Sequence, residues 1–419
     1  MMMYRVWRRL EEYSLLLIVG ALSALIWANV SPTSYHALID YSFWQSAPIG
    51  AVDVSSAEPP SHQLSPHFLI NDVLMALFFA LAGKEVWEAV ALKGGALRGK
   101  KALTPLIATA GGMLGPAFVY LSGAAVIGKM ALLARGWAIP TATDIAFSYL
   151  VGRLIFGARH PAVTFLLLLA IADDAAGLAI LAIFYPQGDL APAWLLLSAS
   201  AALAVYCLAN RLPRMLDARR SGKGASTWMR NRLSFWPYAV AGAISWYGFH
   251  QAGIHPALGL LPIIPAIPRS DIEFGIFAEA EGQQADLLNV IEHALKGPVQ
   301  IVLFLFGLAN AGVEFSAFGD ATLLVAAGLI IGKPLGIAIF GFIAARLLGL
   351  GLPAGMGFKD LIVLGCVAAI GFTVSLFVAS VAFPAGDIQD AAKMGALFSF
   401  AAAFISVAAG RVFAIRRRQ

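Results

Sequence analysis

Charge is what this 419-residue sequence has least of. Asp, Glu, Lys and Arg make up 13% of it against 59% hydrophobic residues, and that is about half the usual charged share. The imbalance excludes a water-soluble globule and leaves a polytopic membrane protein. Stretches free of long apolar runs are also scarce, roughly 31–66, 211–232 and 269–287. None is large enough to bury a core of its own, so residues 1–419 read as a single membrane domain. Only two cysteines occur, Cys207 and Cys366, both inside apolar runs. That excludes a disulfide framework and a thiolate metal site. The net charge of +5 resides in short loops and at the termini rather than on a basic face, which excludes a nucleic-acid partner.

What is present is a series of apolar runs. Cut at charges, prolines and glycine clusters, they give twelve candidate spans: about 13–30, 67–87, 102–127, 130–152, 161–185, 191–210, 233–250, 252–268, 285–313, 321–348, 360–383 and 392–413. The first follows Arg5, Arg8 and Arg9 like a signal peptide, but it is long and ends in Ala28-Asn29-Val30-Ser31 without a clear cleavage site. It reads as a retained helix. An even count puts both termini on one side, and the basic residues agree. Arg5, Arg8 and Arg9, Lys93 to Lys101, Arg153 and Arg159, Arg211 to Arg232, and Arg411 to Arg418 all fall on that side by parity. The opposite loops, 31–65, 186–190 and 314–320, contain no Lys or Arg. The positive-inside rule makes the termini cytoplasmic. In the first external loop Ile49-Gly50-Ala51-Val52-Asp53-Val54 alternates like a short β-hairpin. Glu273, Glu279, Glu281, Asp286 and Glu292 form an acidic approach to the ninth span, either a mouth that gathers cations or a solvated linker.

The run 162–184 is long enough to cross a bilayer, yet near its middle stand two adjacent carboxylates, Asp173 and Asp174. Each ionised carboxylate at that depth costs roughly 2.5 to 3.5 kcal/mol on insertion scales, so a pair is not there for stability. An ion or proton site answers the cost. A polar contact that merely fixes helix packing would account for one such Asp better than for two. Successive helical positions point about 100° apart, so one carboxylate can face a cavity while the other reaches a partner. Two further spans carry helix breakers at similar depth: Pro140-Thr141-Ala142-Thr143-Asp144 in the fourth, and Gly365, Gly371, Thr373 and Ser375 in the eleventh. Spans three to five (102–185) and ten to twelve (321–415) then form two three-helix units of opposite direction. The expected fold is all-α, with twelve transmembrane helices, inverted three-helix repeats and two discontinuous helices crossing at mid-membrane. Residues 13–87 and 191–313 supply interface, or panel, helices. Broken helices place partial charges of about half a unit inside the bilayer. Asp144 is placed to offset the positive ends, and Lys333, in Gly332-Lys333-Pro334, to offset the negative ends and to pair with an Asp.

Taken together, Ile70-Asn71-Asp72 with Phe78-Phe79, Ala142-Thr143-Asp144-Ile145-Ala146-Phe147, Asp173-Asp174, Gly253-Ile254-His255, Ala309-Asn310-Ala311-Gly312-Val313, Gly332-Lys333-Pro334-Leu335-Gly336 and Gly371-Phe372-Thr373 resemble the bacterial NhaA-type sodium/proton antiporters over nearly the whole chain. That family is itself a known inverted-repeat fold. The resemblance implies Asp173, Asp174 and Thr143 at the ion site, Asp144 and Lys333 as charge compensators, and Lys333 paired with Asp173. It implies electrogenic exchange of sodium or lithium for more than one proton, in the bacterial inner membrane, serving pH homeostasis, with no cofactor beyond the transported ions. Membrane lipid surrounds such a protein, and homodimerisation is left open. In the family a charged cluster at the cytoplasmic ends of spans two and nine is tied to pH activation. Here Glu85, Glu292 and His293 are retained, but Trp87-Glu88-Ala89 replaces the usual Lys-Arg-Glu, and Lys84 and Lys296 stand where Leu and His are common.

Sodium prefers oxygen ligands, which two carboxylates, a threonine hydroxyl and freed backbone carbonyls can supply. Two adjacent carboxylates repel when both are ionised, so without sodium the pair takes up protons as a coupled unit. Protons and sodium then compete for one site, and alternating access turns the competition into antiport with no covalent step. Two other readings stay open: the same fold carrying an organic anion with sodium or protons, and a non-transporting membrane sensor. The first needs a cationic pocket beyond Lys333; the second leaves the buried charges without a purpose.

Overall fold

The computed structural model describes residues 15–47, 49–53, 61–91, 95–219, 232–268, 287–415 and 417, and those residues are mostly helical, with one small sheet and short irregular connections. Seven helices are long and apolar enough to cross a membrane: Pro66–Ala91, Ala102–Val126, Pro161–Phe184, Pro192–Asp217, Val290–Asn310, Asp320–Leu347 and Asp387–Val412. Phe358–Ala368 and Phe372–Ala382, bent by 50° at their junction, make an eighth if counted as one span. The remaining expected spans fall on shorter elements, Leu15–Val30, Ile145–Phe156, Trp236–Gln251 and Pro256–Ala266. Phe118, Leu196 and Phe404 are each more than 70% exposed, as side chains facing lipid rather than water must be. The chain is a multi-pass membrane protein.

It divides into two compact units. The first comprises Met1–Tyr41, Ala96–Ile180 and Phe304–Gln419. Its tightest contact joins the helix Lys100–Val126 to the helix Asp320–Leu347 through glycines spaced four apart, Gly111 and Gly115 on one, Gly332 and Gly336 on the other. A Cβ on Gly336 would strike the Gly111 carbonyl, and one on Gly332 would stand 2.6 Å from the Cα of Pro116. Only backbone fits there, as in small-residue packing of membrane helices generally. The close approach brings Lys333, the residue after Gly332, wholly inside the unit. Elsewhere Tyr35, on the short helix Pro32–Ile39, donates its hydroxyl to the carbonyls of Leu308 (2.9 Å) and Ala309 (3.1 Å) at a helix end. Burial pushes this phenol up, so it stays a donor.

The fourth and eleventh spans are both interrupted in this unit. Ala134–Thr141 is 3-10 helix containing Pro140, residues 142–144 are extended, and a regular helix starts only at Ile145. Pro140 has no N–H to continue the ladder, and Asp144 restarts it as an N-cap whose carboxylate accepts from the Phe147 N–H at 3.2 Å. In the eleventh span Phe358–Ala368 stops and Phe372–Ala382 begins after three residues. A Cβ on Gly371 would lie 2.6 Å from the Ala142 carbonyl, so glycine is required where the two interruptions meet.

The second unit comprises Ser42–Gly95 and Leu181–Leu303. Its core gathers Val205, Ala209, Tyr238, Ile263, Ala266 and Leu288. Asn210 ties to the Ala266 carbonyl at 2.9 Å. The expected hairpin is present as β2 (Ala51–Asp53) paired antiparallel with β3 (Ser61–Leu64), Val52 opposite His62. The alternation did not extend to a third strand, β1 (Trp44–Ala47), which pairs with β3 from its other side. Of the acidic approach to the ninth span, Glu273, Glu279, Glu281 and Asp286 lie outside the described residues, while Glu292 belongs to the helix Leu287–Asn310.

Candidate functional site

Lys333 has no exposed surface. Its ammonium donates to Oδ2 of Asp173 at 2.8 Å and to the carbonyl of Thr141 at 2.5 Å. Thr141 is the last residue of the 3-10 stretch, so its carbonyl belongs to the negative end of a broken helix. One cation thus neutralises a buried carboxylate and caps a helix end that has no water to do so.

Asp174, the next residue on the helix Pro161–Phe184, is only half-buried, and its carboxylate makes no hydrogen bond or ion pair among the described residues. The adjacent pair is therefore divided: Asp173 is held by Lys333, and Asp174 is free to bind something small.

Asp144 stands where two helix N-termini converge. Its backbone N–H donates to the Ile370 carbonyl at 2.7 Å, linking the two interruptions directly. Its carboxylate caps Ile145–Phe156 through Phe147 and also accepts from the N–H (3.4 Å) and the hydroxyl of Thr373, in the first turn of Phe372–Ala382. Both positive ends share one carboxylate, the placement that buried helix dipoles call for. The Thr143 hydroxyl is buried and donates to the Ala368 carbonyl at 3.2 Å, at the end of Phe358–Ala368. Its proton is thus directed away, and its lone pairs remain to be offered.

Three hydroxyls complete the crossing: Thr373 on Asp144, Ser148 to the Val367 carbonyl at 3.1 Å, and Ser375 to the Ile139 carbonyl at 2.7 Å. Ser148 was not among the residues singled out above; Ser375 was noted only as a residue at membrane depth, and Thr373 there and in a family motif, neither with a bonding role. Their spacing carries the signal, because Ser148 is four residues past Asp144 and Ser375 four past Gly371, the two residues that precede the restarted helices.

The residues compared above with a pH-responsive cluster lie in the second unit and form an alternating network. Lys84 pairs with Glu88 at 2.7 Å and with Glu292, and Glu292 pairs with Lys296 at 2.7 Å. Lys84 and Glu292 are 5% and 2% exposed. Glu85 is half-buried and His293 exposed, so the two lysines that depart from the family pattern, not the histidine, join the glutamates. In the same unit Asp72 and His255 are buried, with Asp72 Oδ1 3.7 Å from His255 Nδ1 and the Asp72 carbonyl accepting from Trp246 at 2.7 Å.

Removing Lys333 leaves a carboxylate and a helix end buried without a cation, and truncating one partner of such a pair typically costs about 3 to 5 kcal/mol. Lys333→Ala is therefore expected to lower the melting temperature in detergent clearly, with Lys333→Arg, which keeps the charge, intermediate. An unchanged melting temperature in Lys333→Ala would contradict the pairing.

Comparisons with known proteins bear on this arrangement. The family model described as Na+/H+ antiporter 1 matches residues 5–412. A protein of Jannaschia sp. named Na(+)/H(+) antiporter NhaA is 64% identical over 419 residues, the whole of both chains. Proteins of the same name from Geobacter sulfurreducens and Desulfitobacterium hafniense are each 45% identical, over 97% of this chain and 98% and 96% of theirs. The buried Asp173–Lys333 pair, the crossed interruptions and these full-length matches agree, and the chain belongs to the Na+/H+ antiporter 1 family.

Proposed function

We propose that this chain is an antiporter exchanging cytoplasmic sodium, or lithium, for external protons across the bacterial inner membrane, with both termini in the cytoplasm. The observation that carries the reading is the division of the Asp pair: Asp173 is bound to Lys333, while Asp174 beside it is half-buried and without a partner among the described residues. Family membership supports the cargo. A transporter of this kind catalyses no covalent step.

Sodium arriving at Asp174 finds a carboxylate at once, and Thr143 and the second oxygen of Asp173 complete an oxygen set within one unit. A cation there competes with the proton that Asp174 otherwise takes up and pulls Asp173 away from Lys333 electrostatically. Two carboxylates can accept two protons or one sodium, so a cycle moves more than one proton per sodium and is electrogenic. Asp144 and Lys333 answer the partial charges of the broken helices, which keeps the crossing neutral as the site changes sides. Residues 102–185 and 321–415 serve as the inverted repeats. The reciprocal bonds of Ser148 to Val367 and Ser375 to Ile139 support that symmetry. Organic-anion transport is the weaker reading, since Lys333 is already engaged by Asp173 and Thr141.

Asp174→Asn removes an anionic ligand and a proton acceptor together, and it is expected to abolish sodium and lithium exchange in everted vesicles while the protein still inserts and folds. Substantial exchange at any pH by this variant would sink the site. Asp173→Asn is expected to be severe but incomplete, because it releases Lys333.

The network around Lys84 sets a second expectation. Glu85, Glu88, Glu292 and His293 are the residues proposed to shape the pH response, and Glu88 is bonded to the buried Lys84. Glu88→Arg places a cation there that opposes proton uptake by the network. It is expected to move the half-activation pH of exchange toward acid at saturating sodium, while His293→Ala, altering an exposed side chain, shifts it only slightly. Identical rate–pH curves for Glu88→Arg and the unaltered protein would remove this network from the pH response.

A further inference from the structure

A hydroxyl serves as a cation ligand only if its proton points elsewhere, because the ion must meet a lone pair. For Thr143 the acceptor of that proton is the Ala368 carbonyl, 3.2 Å away. Ala368 ends the helix Phe358–Ala368, where carbonyls no longer have the regular i+4 donor that would hold their direction. Its neighbour Val367 is fixed from two sides, by the Ile370 N–H at 3.3 Å and by the Ser148 hydroxyl at 3.1 Å.

Ser148 behaves unlike a serine in an ordinary helix. A helical serine commonly returns its hydroxyl to its own i−4 carbonyl, here that of Asp144, which already accepts the Ser148 N–H at 3.0 Å. Instead the hydroxyl, with no exposed surface, crosses to the other interrupted span. Thr143 and Ser148 thus grip the consecutive carbonyls Ala368 and Val367 from one strand of the crossing. Ser375 makes the counterpart bond to Ile139 from the other strand, but it touches neither of these carbonyls.

We infer that Ser148 is a positioning residue for cation binding, which by holding the Val367–Ala368 end aims the Thr143 proton at Ala368 and leaves the Thr143 lone pairs facing the ion. The inference rests on the reading of Thr143 as a ligand given above. Loss of the Ser148 hydroxyl lets the helix end turn, and Thr143 then divides its time between donating and accepting orientations. The consequence falls on cation affinity and not on the rate of the loaded carrier.

The test is exchange in proteoliposomes of the full-length chain, with sodium and with lithium, for the unaltered protein, Ser148→Ala, Ser148→Thr and Thr143→Val, each with its melting temperature in detergent. Ser148→Ala is expected to raise the sodium KM about three- to tenfold, the factor that the net worth of one hydrogen bond gives. Its kcat is expected to stay within about twofold and its melting temperature near that of the unaltered protein. Ser148→Thr, which keeps a hydroxyl, is expected to recover the lower KM, and the sodium-to-lithium KM ratio to move in Ser148→Ala in the same direction as in Thr143→Val. A Ser148→Ala protein with unchanged sodium KM, or one whose kcat and melting temperature fall together at constant KM, overturns the inference. So does a raised KM in Ser148→Ala alongside an unaffected Thr143→Val, since the serine would then not act through the threonine. An unaltered chain that exchanges no sodium for protons would instead overturn the functional reading itself.

Discussion

An ammonium group with no exposed surface has to be neutralised where it stands, and Lys333 is neutralised by two groups of different kinds. Asp173 supplies a full negative charge and Thr141 the partial charge of a helix end. The second contact would not exist if the fourth span were a continuous helix, because the Thr141 carbonyl would then be spent on an amide four residues on. The interruption of that span, the burial of the lysine and the asymmetry of the Asp pair are thus one arrangement. Glycine packing between Lys100–Val126 and Asp320–Leu347 is what lets the lysine reach it.

The same economy holds on the other side of the crossing. Asp144 accepts from Phe147 and Thr373 and so serves two helix starts with one carboxylate. Four carbonyls near the interrupted ends, those of Ile139, Val367, Ala368 and Ile370, are answered by Ser375, Ser148, Thr143 and the Asp144 amide. Backbone polar groups that lose their helical partners inside a membrane are costly, and here each finds a donor from the opposite span. Among the described residues, the Asp174 carboxylate has no partner, while Asp173 is engaged through Oδ2.

Much of this was legible in the sequence because charge in an apolar run is hard to mistake. Asp173, Asp174, Asp144 and Lys333 stood out; the need to neutralise Lys333 called for a buried Asp, and the family resemblance, not the residues themselves, pointed to Asp173 as that partner. The interruptions near Pro140 and Gly371 were signalled by helix breakers in corresponding places of two three-helix units, since a glycine alone in a membrane helix says little. The hydroxyl clamps could not: a serine such as Ser148 in an apolar helix has a local acceptor by default, and only the crossing reveals a better one. Lys84 was visible as a departure from the family pattern, yet its partner Glu292 lies 208 residues away, and nothing local joins them. The third strand, Trp44–Ala47, was missed because Trp44-Gln45-Ser46-Ala47 does not alternate apolar and polar residues. The span count is similarly less direct, since several expected spans are realised as elements shorter than a bilayer crossing.

Competition between sodium and protons for one Asp pair is the claim on which the account turns, and it can be read without transport. Sodium chloride added to the purified protein in weakly buffered detergent solution should release protons, followed by a pH indicator. The sodium concentration giving half-maximal release should rise as the starting pH is lowered, and choline chloride should release none. Sodium binding, seen independently by calorimetry, with no proton release at any pH would contradict the account.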